Sequence, residues 1–319
     1  MTEITAVMVL AAGRGERMRP LSDVLPKPAL PLADGPVIAS ALRLAAHTAL
    51  GRIVVNTWHL GDRMKTAIAE VVSPGMTVIL SPETSLMGTA GGLAHARDHG
   101  LLGTTGSVLV INGDGLFELD LGPLFEHHAA GSDAVTLALL PHPDPKRWSR
   151  VLVDSKGRVT AIRPSGKVEP GELPLLYPGV MAVTREALNG LPSTPGETPD
   201  RLWFPALAGK KLGGAEISGN WSEIGTPDDY RSVITEQLVG RSVIHPTATV
   251  APTALIDDSL IGRDASIGDH AVIRCSVVGE GATVDAHGSV THSVLLGAAR
   301  AGTGEVVDQE VRTGTMESA

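Results

Sequence analysis

The sequence has a single cysteine in 319 residues, which excludes an internal disulfide framework. Cys275 lies in an apolar repeat and is expected to be a packed thiol rather than a reactive one. A reducing compartment fits that usage. Basic residues are also short: 26 Lys and Arg stand against 35 Asp and Glu, a net charge of -9, and the basic ones are scattered. That balance argues against nucleic acid or an anionic membrane as partner and points to small anions held locally. No apolar run reaches the roughly 18 residues that a membrane span needs. The opening stretch reads as a strand carrying Glu3, without a basic n-region or a cleavage pattern, so the expected location is the cytoplasm. What is present is ordinary globular material, 43% hydrophobic, enough for a large domain and a smaller one.

The first two thirds alternate short apolar runs with helical periodicity, the mark of a sheet covered on both faces. Strands are expected at Ala6 to Ala11, Arg52 to Asn56, Thr77 to Leu80 and Val108 to Asn112, with a crossover helix opening at Pro36. After Asp133 the pattern is richer in strands: Ala134 to Leu140, Val151 to Val153, Val159 to Ile162 and Val180 to Val183. Helices are expected at Asp200 to Lys211 and Pro227 to Leu238. From Ser242 the grammar changes. Ile244, Val250, Ile256, Ile261, Ile267, Ile273, Val278, Val284, Val290 and Leu295 recur every six residues, or five where a new side begins, with small residues between them. Short strands stacking into a solenoid produce such a period, because each rung buries its apolar residue only against its neighbours. The stretch resembles the left-handed β-helix of hexapeptide-repeat proteins, at about three coils. The expected divisions are a domain over 1–240, a β-helix over 241–300 and a polar, flexible tail over 301–319.

Chemistry concentrates in three places. Leu10-Ala11-Ala12-Gly13-Arg14-Gly15-Glu16-Arg17 follows a buried strand, and Pro26-Lys27-Pro28 comes shortly after. A glycine-rich turn there lets backbone N–H groups approach a polyphosphate while Arg and Lys offset its charge. A dinucleotide fingerprint needs a third glycine where Met18 stands, and a P-loop needs Gly-Lys-Ser/Thr; neither is present. Gly88-Thr89-Ala90-Gly91-Gly92 is a small-residue turn entering a helix, with room for a flat ring and backbone groups to read its edge. Val110-Ile111-Asn112-Gly113-Asp114 ends an apolar strand on a carboxylate, where open α/β sheets place ligands. The histidines, including His127, His128, His270, His287 and His292, lack zinc spacing with cysteine.

These motifs together resemble the sugar-1-phosphate nucleotidyltransferase family, whose signature reads L-A-A-G-x-G-T-R-L-x-P-L-T followed by P-K-P. The resemblance covers nearly the whole chain and implies an α/β, Rossmann-like (GT-A-like) mixed-sheet domain followed by the left-handed β-helix. It implies nucleotide contacts from Leu10, Ala11, Ala12, Gly13, Arg14 and Gly15, and from Gly88, Thr89 and Ala90 in a loop similar to L-G-T-A-G-A-L. Catalytic roles fall on Arg17, Lys27 and Asp114. Mg²⁺ is the implied cofactor, held by Asp114 and by Glu223 of Trp221-Ser222-Glu223-Ile224-Gly225-Thr226-Pro227. Glu223 stands where the family has Asp, which moves the carboxylate by about 1.5 Å.

The sugar end departs further. Ile162-Arg163-Pro164 matches E-K-P, so Arg163 keeps the phosphate-binding charge while Ile162 cannot accept a hydrogen bond. Tyr177 replaces an Asn of N-A-G-I, ahead of Gly179, and Ser149 takes the place of a Gly. Ile162 and Tyr177 point to an unusual sugar or a cyclitol phosphate.

The implied reaction is in-line attack of a sugar-1-phosphate oxygen on the α-phosphorus of a nucleoside triphosphate, with GTP favoured by the G-T-A-G loop and the β-helix. The partners expected are these two substrates and further copies of the chain, assembled through the β-helix. A non-catalytic regulatory paralogue would have lost charges that Arg17, Lys27 and Asp114 retain. A hexapeptide-repeat acyltransferase would want longer coils.

Overall fold

The computed structural model describes residues 3–48 and 50–315. These divide into two compact units, each discontinuous in sequence. One comprises residues up to Gly13, Ile38–Gly61 and Val71–Ser222. The other comprises Arg14–Val37, Asp62–Glu70 and the chain from Glu223 onward. Two short segments of the amino-terminal two thirds therefore group with the solenoid, which a single boundary near residue 240 does not anticipate.

The first unit is built on a ten-stranded mixed sheet. Its parallel part places Ile4–Leu10 between Ile53–Thr57 and Ser107–Asn112, with Val78–Pro82 beyond Ile53–Thr57. Strands buried on both faces read as continuous apolar runs, and Val7, Met8, Val9 and Val108 to Ile111 are fully buried. Val180–Val183 then runs antiparallel between Ser107–Asn112 and Val135–Pro141, and Leu212–Glu216 adds parallel to Val135–Pro141. At the far edge Arg150–Val153 runs antiparallel between Leu175–Leu176 and Val159–Arg163, and Leu175–Leu176 joins them to Val135–Pro141. The helix after Pro36 begins at Ile38, because Gly35–Pro36 first pairs with Pro31–Leu32. The helix expected over 200–211 is shorter: a π-helical turn over Pro199–Trp203 leads into Phe204–Ala208, and the chain is already a strand at Leu212.

His128, on the helix Gly122–Ala130, is a core histidine. Thr136 Oγ1 and Ser107 Oγ lie 2.9 Å from its two ring nitrogens, and burial lowers its pKa so that it is held neutral. Its neighbour His127 pairs with Asp133 at 3.1 Å.

In the second unit the solenoid repeats at one constant interval: Val243 pairs with Leu260, Leu260 with Val277, Val277 with Val294 and Val294 with Val311. Three stacks of parallel strands form its sides. The expected rung positions from Ile261 to Leu295 all lie in one buried cluster. A serine ladder fixes the register at one corner. Ser259, Ser276 and Ser293 each donate to the carbonyl two residues earlier at 2.6 Å, and each accepts the N–H of the equivalent residue one coil later at 3.0–3.1 Å. The expectation of about three coils ending near 300 is corrected: among the described residues there are four coils and a further strand. Val306–Asp308 and Val311–Gly314 continue the stacks, with Ala301 and Val307 in the core. Ala301 and Val307 are the buried residues of this stretch, and most of their sequence neighbours from 302 to 314 are Gly or polar. Residues 316–319 of the expected tail lie outside the described part. Cys275 is also corrected: it is half-buried at a corner with φ 46°, rather than packed inside.

Candidate active site

The parallel strands end at one edge of the first unit, and Ile4–Leu10 marks the switch point, because successive strands are added on opposite sides of it. Gly113 donates its N–H to the carbonyl of Leu10 at 2.8 Å, and a Cβ there would stand 2.9 Å from that oxygen. Only glycine permits this approach, and it fixes Asp114 immediately beyond the switch point. Asn112 donates its N–H to the carbonyl of Gly179 at 2.8 Å, which ties the expected sugar-side glycine to the same strand end.

A buried polar network, missed in the sequence, joins three strand ends. Asn56 Oδ1 accepts the N–H of Ala11 at 2.8 Å, and Asn56 Nδ2 donates to Glu83 Oε1 at 2.7 Å. Glu83 Oε2 accepts the N–H of Met87 at 3.1 Å. Burial raises the Glu83 pKa, partly opposed by these hydrogen bonds and by His95. Residues this far apart in sequence carry no local signal.

The Gly88–Asp98 helix corrects one expectation. Thr89 N–H donates to Glu197 Oε2 at 3.1 Å, while Ala90 and Gly91 donate to the carbonyl of Gly196 at 2.9 and 3.1 Å. These N–H groups hold the 196–198 segment and are not aimed at a ligand edge. Glu197 was invisible for the same reason as Glu83.

On the sugar side, Arg150 is buried and bound to Glu172 at 3.0 Å and to the carbonyl of Lys167 at 2.6 Å. Arg163 lies opposite it on the neighbouring strand, 56% exposed, with Glu172 at 4.0 Å. Arg150 is structural and Arg163 keeps most of its charge in solvent. Ile162 and Tyr177 both pack against the main core cluster, and the Tyr177 ring meets Trp203 edge-on at 4.8 Å. Burial pushes the Tyr177 phenol well above its ordinary pKa. Ser149 is exposed, and Trp148 beside it meets Trp221 at 5.4 Å.

In the second unit Gly15 adopts φ 63°, ψ 39° ahead of the short helix Glu16–Met18. Without a side chain it lies over Lys27 and Ser22, where a Cβ would come within 3.3 and 3.4 Å. Met18 and Leu21 are buried and anchor the turn, and Lys27 itself is buried. Arg14 and Arg17 are exposed. Arg17 Nη2 donates to Glu223 Oε1 at 3.0 Å, so the longer side chain at 223 reaches the arginine expected to act on phosphate. A second carboxylate is close by: Asp229 Oδ2 accepts the N–H of Gly225 at 3.1 Å, at the Thr226-capped start of Pro227–Leu238.

A family model described as Nucleotidyl transferase matches residues 6–238. The chain belongs to that nucleotidyl transferase family. Its enzyme class, sugar-1-phosphate nucleotidyltransferase, is as expected. A mannose-1-phosphate guanylyltransferase of Mycobacterium tuberculosis is 28% identical over 264 residues, 78% of this chain and 72% of that one. An N-acetylmuramate alpha-1-phosphate uridylyltransferase of Neisseria meningitidis serogroup B is 32% identical over 228 residues, 69% of this chain and 92% of that one. Among solved structures, HddC from Yersinia pseudotuberculosis complexed with GMP-PN aligns with a TM-score of 0.60 at 19% identity. That alignment covers 73% of this chain and 99% of HddC, and shows the shared fold. Members of the family use divalent metal ions. No helix among the described residues is long and apolar enough to cross a membrane.

Proposed function

We propose that this nucleotidyltransferase joins a nucleoside monophosphate, from GTP in preference to other triphosphates, to a modified sugar-1-phosphate or cyclitol phosphate. The observation that carries the reading is the turn at Gly15, which sets a buried lysine beneath a glycine loop and an exposed arginine beside it. That is a polyphosphate cradle rather than a structural turn.

A phosphate oxygen of the sugar-1-phosphate attacks the α-phosphorus in line. A new P–O bond forms as the bond from the α-phosphorus to the bridging oxygen breaks, and pyrophosphate departs with the electron pair. Like charges must be brought together, so the demand on the protein is electrostatic and positional. Lys27 holds nucleotide phosphates, Arg17 meets charge building on the leaving group, and Arg163 grips the sugar phosphate. Leu10 to Gly15 line the phosphates. Ser149, Tyr177 and Gly179 line the sugar.

Among the described residues no three His, Cys, Asp or Glu side chains are grouped to enclose a metal. The hard carboxylate oxygens of Asp114 and Glu223 suit Mg²⁺, a cation that keeps several waters and substrate phosphates in its shell. When bound it would offset phosphate charge. Glu223 also holds Arg17 until the triphosphate competes for the guanidinium.

The G-T-A-G form of the Gly88 loop, together with the solenoid, favours guanine. The guanylyltransferase relative and the GMP-PN-bound neighbour are compatible with it. The uridylyltransferase relative supports a second reading, uridylyl transfer to a sugar acid phosphate. We further propose that the solenoid joins copies of the chain, since among the described residues nothing pairs beyond Arg300–Ala301, Val306–Asp308 and Val311–Gly314.

The deciding experiment is a matrix of GTP, UTP, ATP, CTP and dTTP against mannose-1-phosphate, glucose-1-phosphate, N-acetylmuramate 1-phosphate and a cyclitol phosphate, read as pyrophosphate release. GTP with a modified sugar or cyclitol phosphate is expected to lead. Highest efficiency with mannose-1-phosphate would show that Ile162 and Tyr177 do not select the substrate.

A further inference from the structure

A cavity of about 290 Å³ opens within the second unit, between the chain at 25–36, one face of the helix Gly61–Val71 and the first coils of the solenoid. Its volume is at the lower end of the ~300–1,000 Å³ typical of ligand pockets. The floor is apolar, formed by Leu25, Leu32, Ala67, Ile244, Leu260 and Ile261.

Four charges stand over it. Arg63 and Glu70 are two turns apart on one face of the helix, and Arg263 and Glu280 occupy the same corner of successive coils. They pair crosswise, Arg63 with Glu280 at 3.4 Å and Arg263 with Glu70. The rim is therefore a two-by-two checkerboard with no net charge. None of these residues has a part in the nucleotidyl transfer described above.

The charge pattern selects the ligand. A phosphorylated metabolite would take both arginines and strand both glutamates without partners, which is costly at a half-buried rim. A neutral apolar molecule would use only the floor. A molecule with one carboxylate, one ammonium and a hydrocarbon body satisfies everything: its carboxylate faces the guanidinium groups, its ammonium faces Glu70 and Glu280, and its side chain covers the floor. We propose that this cavity is a binding site for an amino acid with an apolar side chain.

Such a ligand would act on nucleotide binding. Leu25 and Ala29, which line the cavity, flank Pro26-Lys27-Pro28, and Ala29 donates its N–H to the carbonyl of Pro26 at 2.7 Å. The other face of this segment presents Lys27 to Gly15. Cavity and phosphate turn are two sides of one short segment, so occupancy shifts the KM for the triphosphate. This second step rests on the proposed function; the binding itself does not.

Calorimetry of the full chain without nucleotide tests the binding, using leucine, isoleucine, methionine and phenylalanine as probes. The analogues 4-methylpentanoate and isopentylamine supply each charge alone. At least one amino acid should bind saturably, with the single-charge analogues at least ~10-fold weaker. Arg263→Gln should weaken it ~10-fold. Because that change could loosen the seam, Ala67→Met, which fills the floor and leaves the rim intact, should do the same. No saturable binding, equal binding of the analogues, or unchanged binding in Ala67→Met would overturn the site. If binding holds and the KM for GTP does not move, the link to Lys27 is wrong while the site stands. If no triphosphate is turned over, the proposed function fails and the calorimetry still decides the cavity.

Discussion

The mixed sheet and the solenoid solve the same problem, burying apolar strands, in opposite ways. In the sheet the strand Ser107–Asn112 pairs with Ile4–Leu10, far back in the sequence, and with Val180–Val183, far ahead of it. In the solenoid Leu260–Ile261 pairs with Val277–Val278, and that strand with Val294–Gly297, each the equivalent strand of the next coil. Long-range pairing brings unrelated side chains to one edge, where Asn56, Glu83 and Asp114 can be held at strand ends. Local pairing repeats one environment and makes a scaffold. The candidate chemistry lies in the sheet and the turn at Gly15 rather than in the coils.

If that contrast is right, damage should spread differently in the two regions. Ile111 is fully buried in a central strand, and Ile111→Ala should cost about 2–5 kcal/mol. Urea unfolding should report it as a global shift. Ser276→Ala in the solenoid removes the acceptor of the Ser293 N–H and should cost about 1–3 kcal/mol. Its effect should appear as faster hydrogen exchange in the adjoining coils, with little change in the sheet. Equal exchange throughout would break the contrast.

The two regions were also unequally legible in the sequence. The solenoid declared itself through Ile261, Ile267 and Ile273, yet its end was misjudged because Ala301 and Val307 are weak apolar signals among polar residues. At the candidate site, the local motifs Gly13 to Gly15, Pro26-Lys27-Pro28 and Gly113-Asp114 stand out in the sequence as candidates. Glu83, Glu197, Glu172 and Asp229 do not, since each acts on a partner chosen by the fold. The Gly88 loop shows the cost of reading a motif alone, because Glu197 and Gly196 take the N–H groups that seemed available.

Smaller effects sharpen the comparison. Glu223→Gln should release Arg17 and lower the Kd for the triphosphate without metal by roughly 3- to 10-fold, a modest exposed ion pair exchanged for phosphate. Calorimetry in chelator checks it, and Arg17→Gln in the same background should remove the gain. A pH effect is expected in the sheet. The buried His128 has a pKa below its ordinary 6.5, so the unfolded chain takes up the proton first. Its contribution is complete above about pH 6.5 and is lost as pH falls through the lower folded value. The loss reaches about 1.4 kcal/mol per pH unit at most. Thermal melts from about pH 7.5 to about pH 5 should show this slope, and His128→Asn should flatten it.

The most direct test of the account is single-turnover pyrophosphate release with saturating Mg²⁺, comparing the unaltered chain with Asp114→Asn on the best substrate pair. Asp114 is assigned the strand-end carboxylate on which charge stabilisation depends, so its loss should slow release at least ~100-fold. A rate equal to that of the unaltered chain would contradict the placement of the chemistry at the switch point of the sheet.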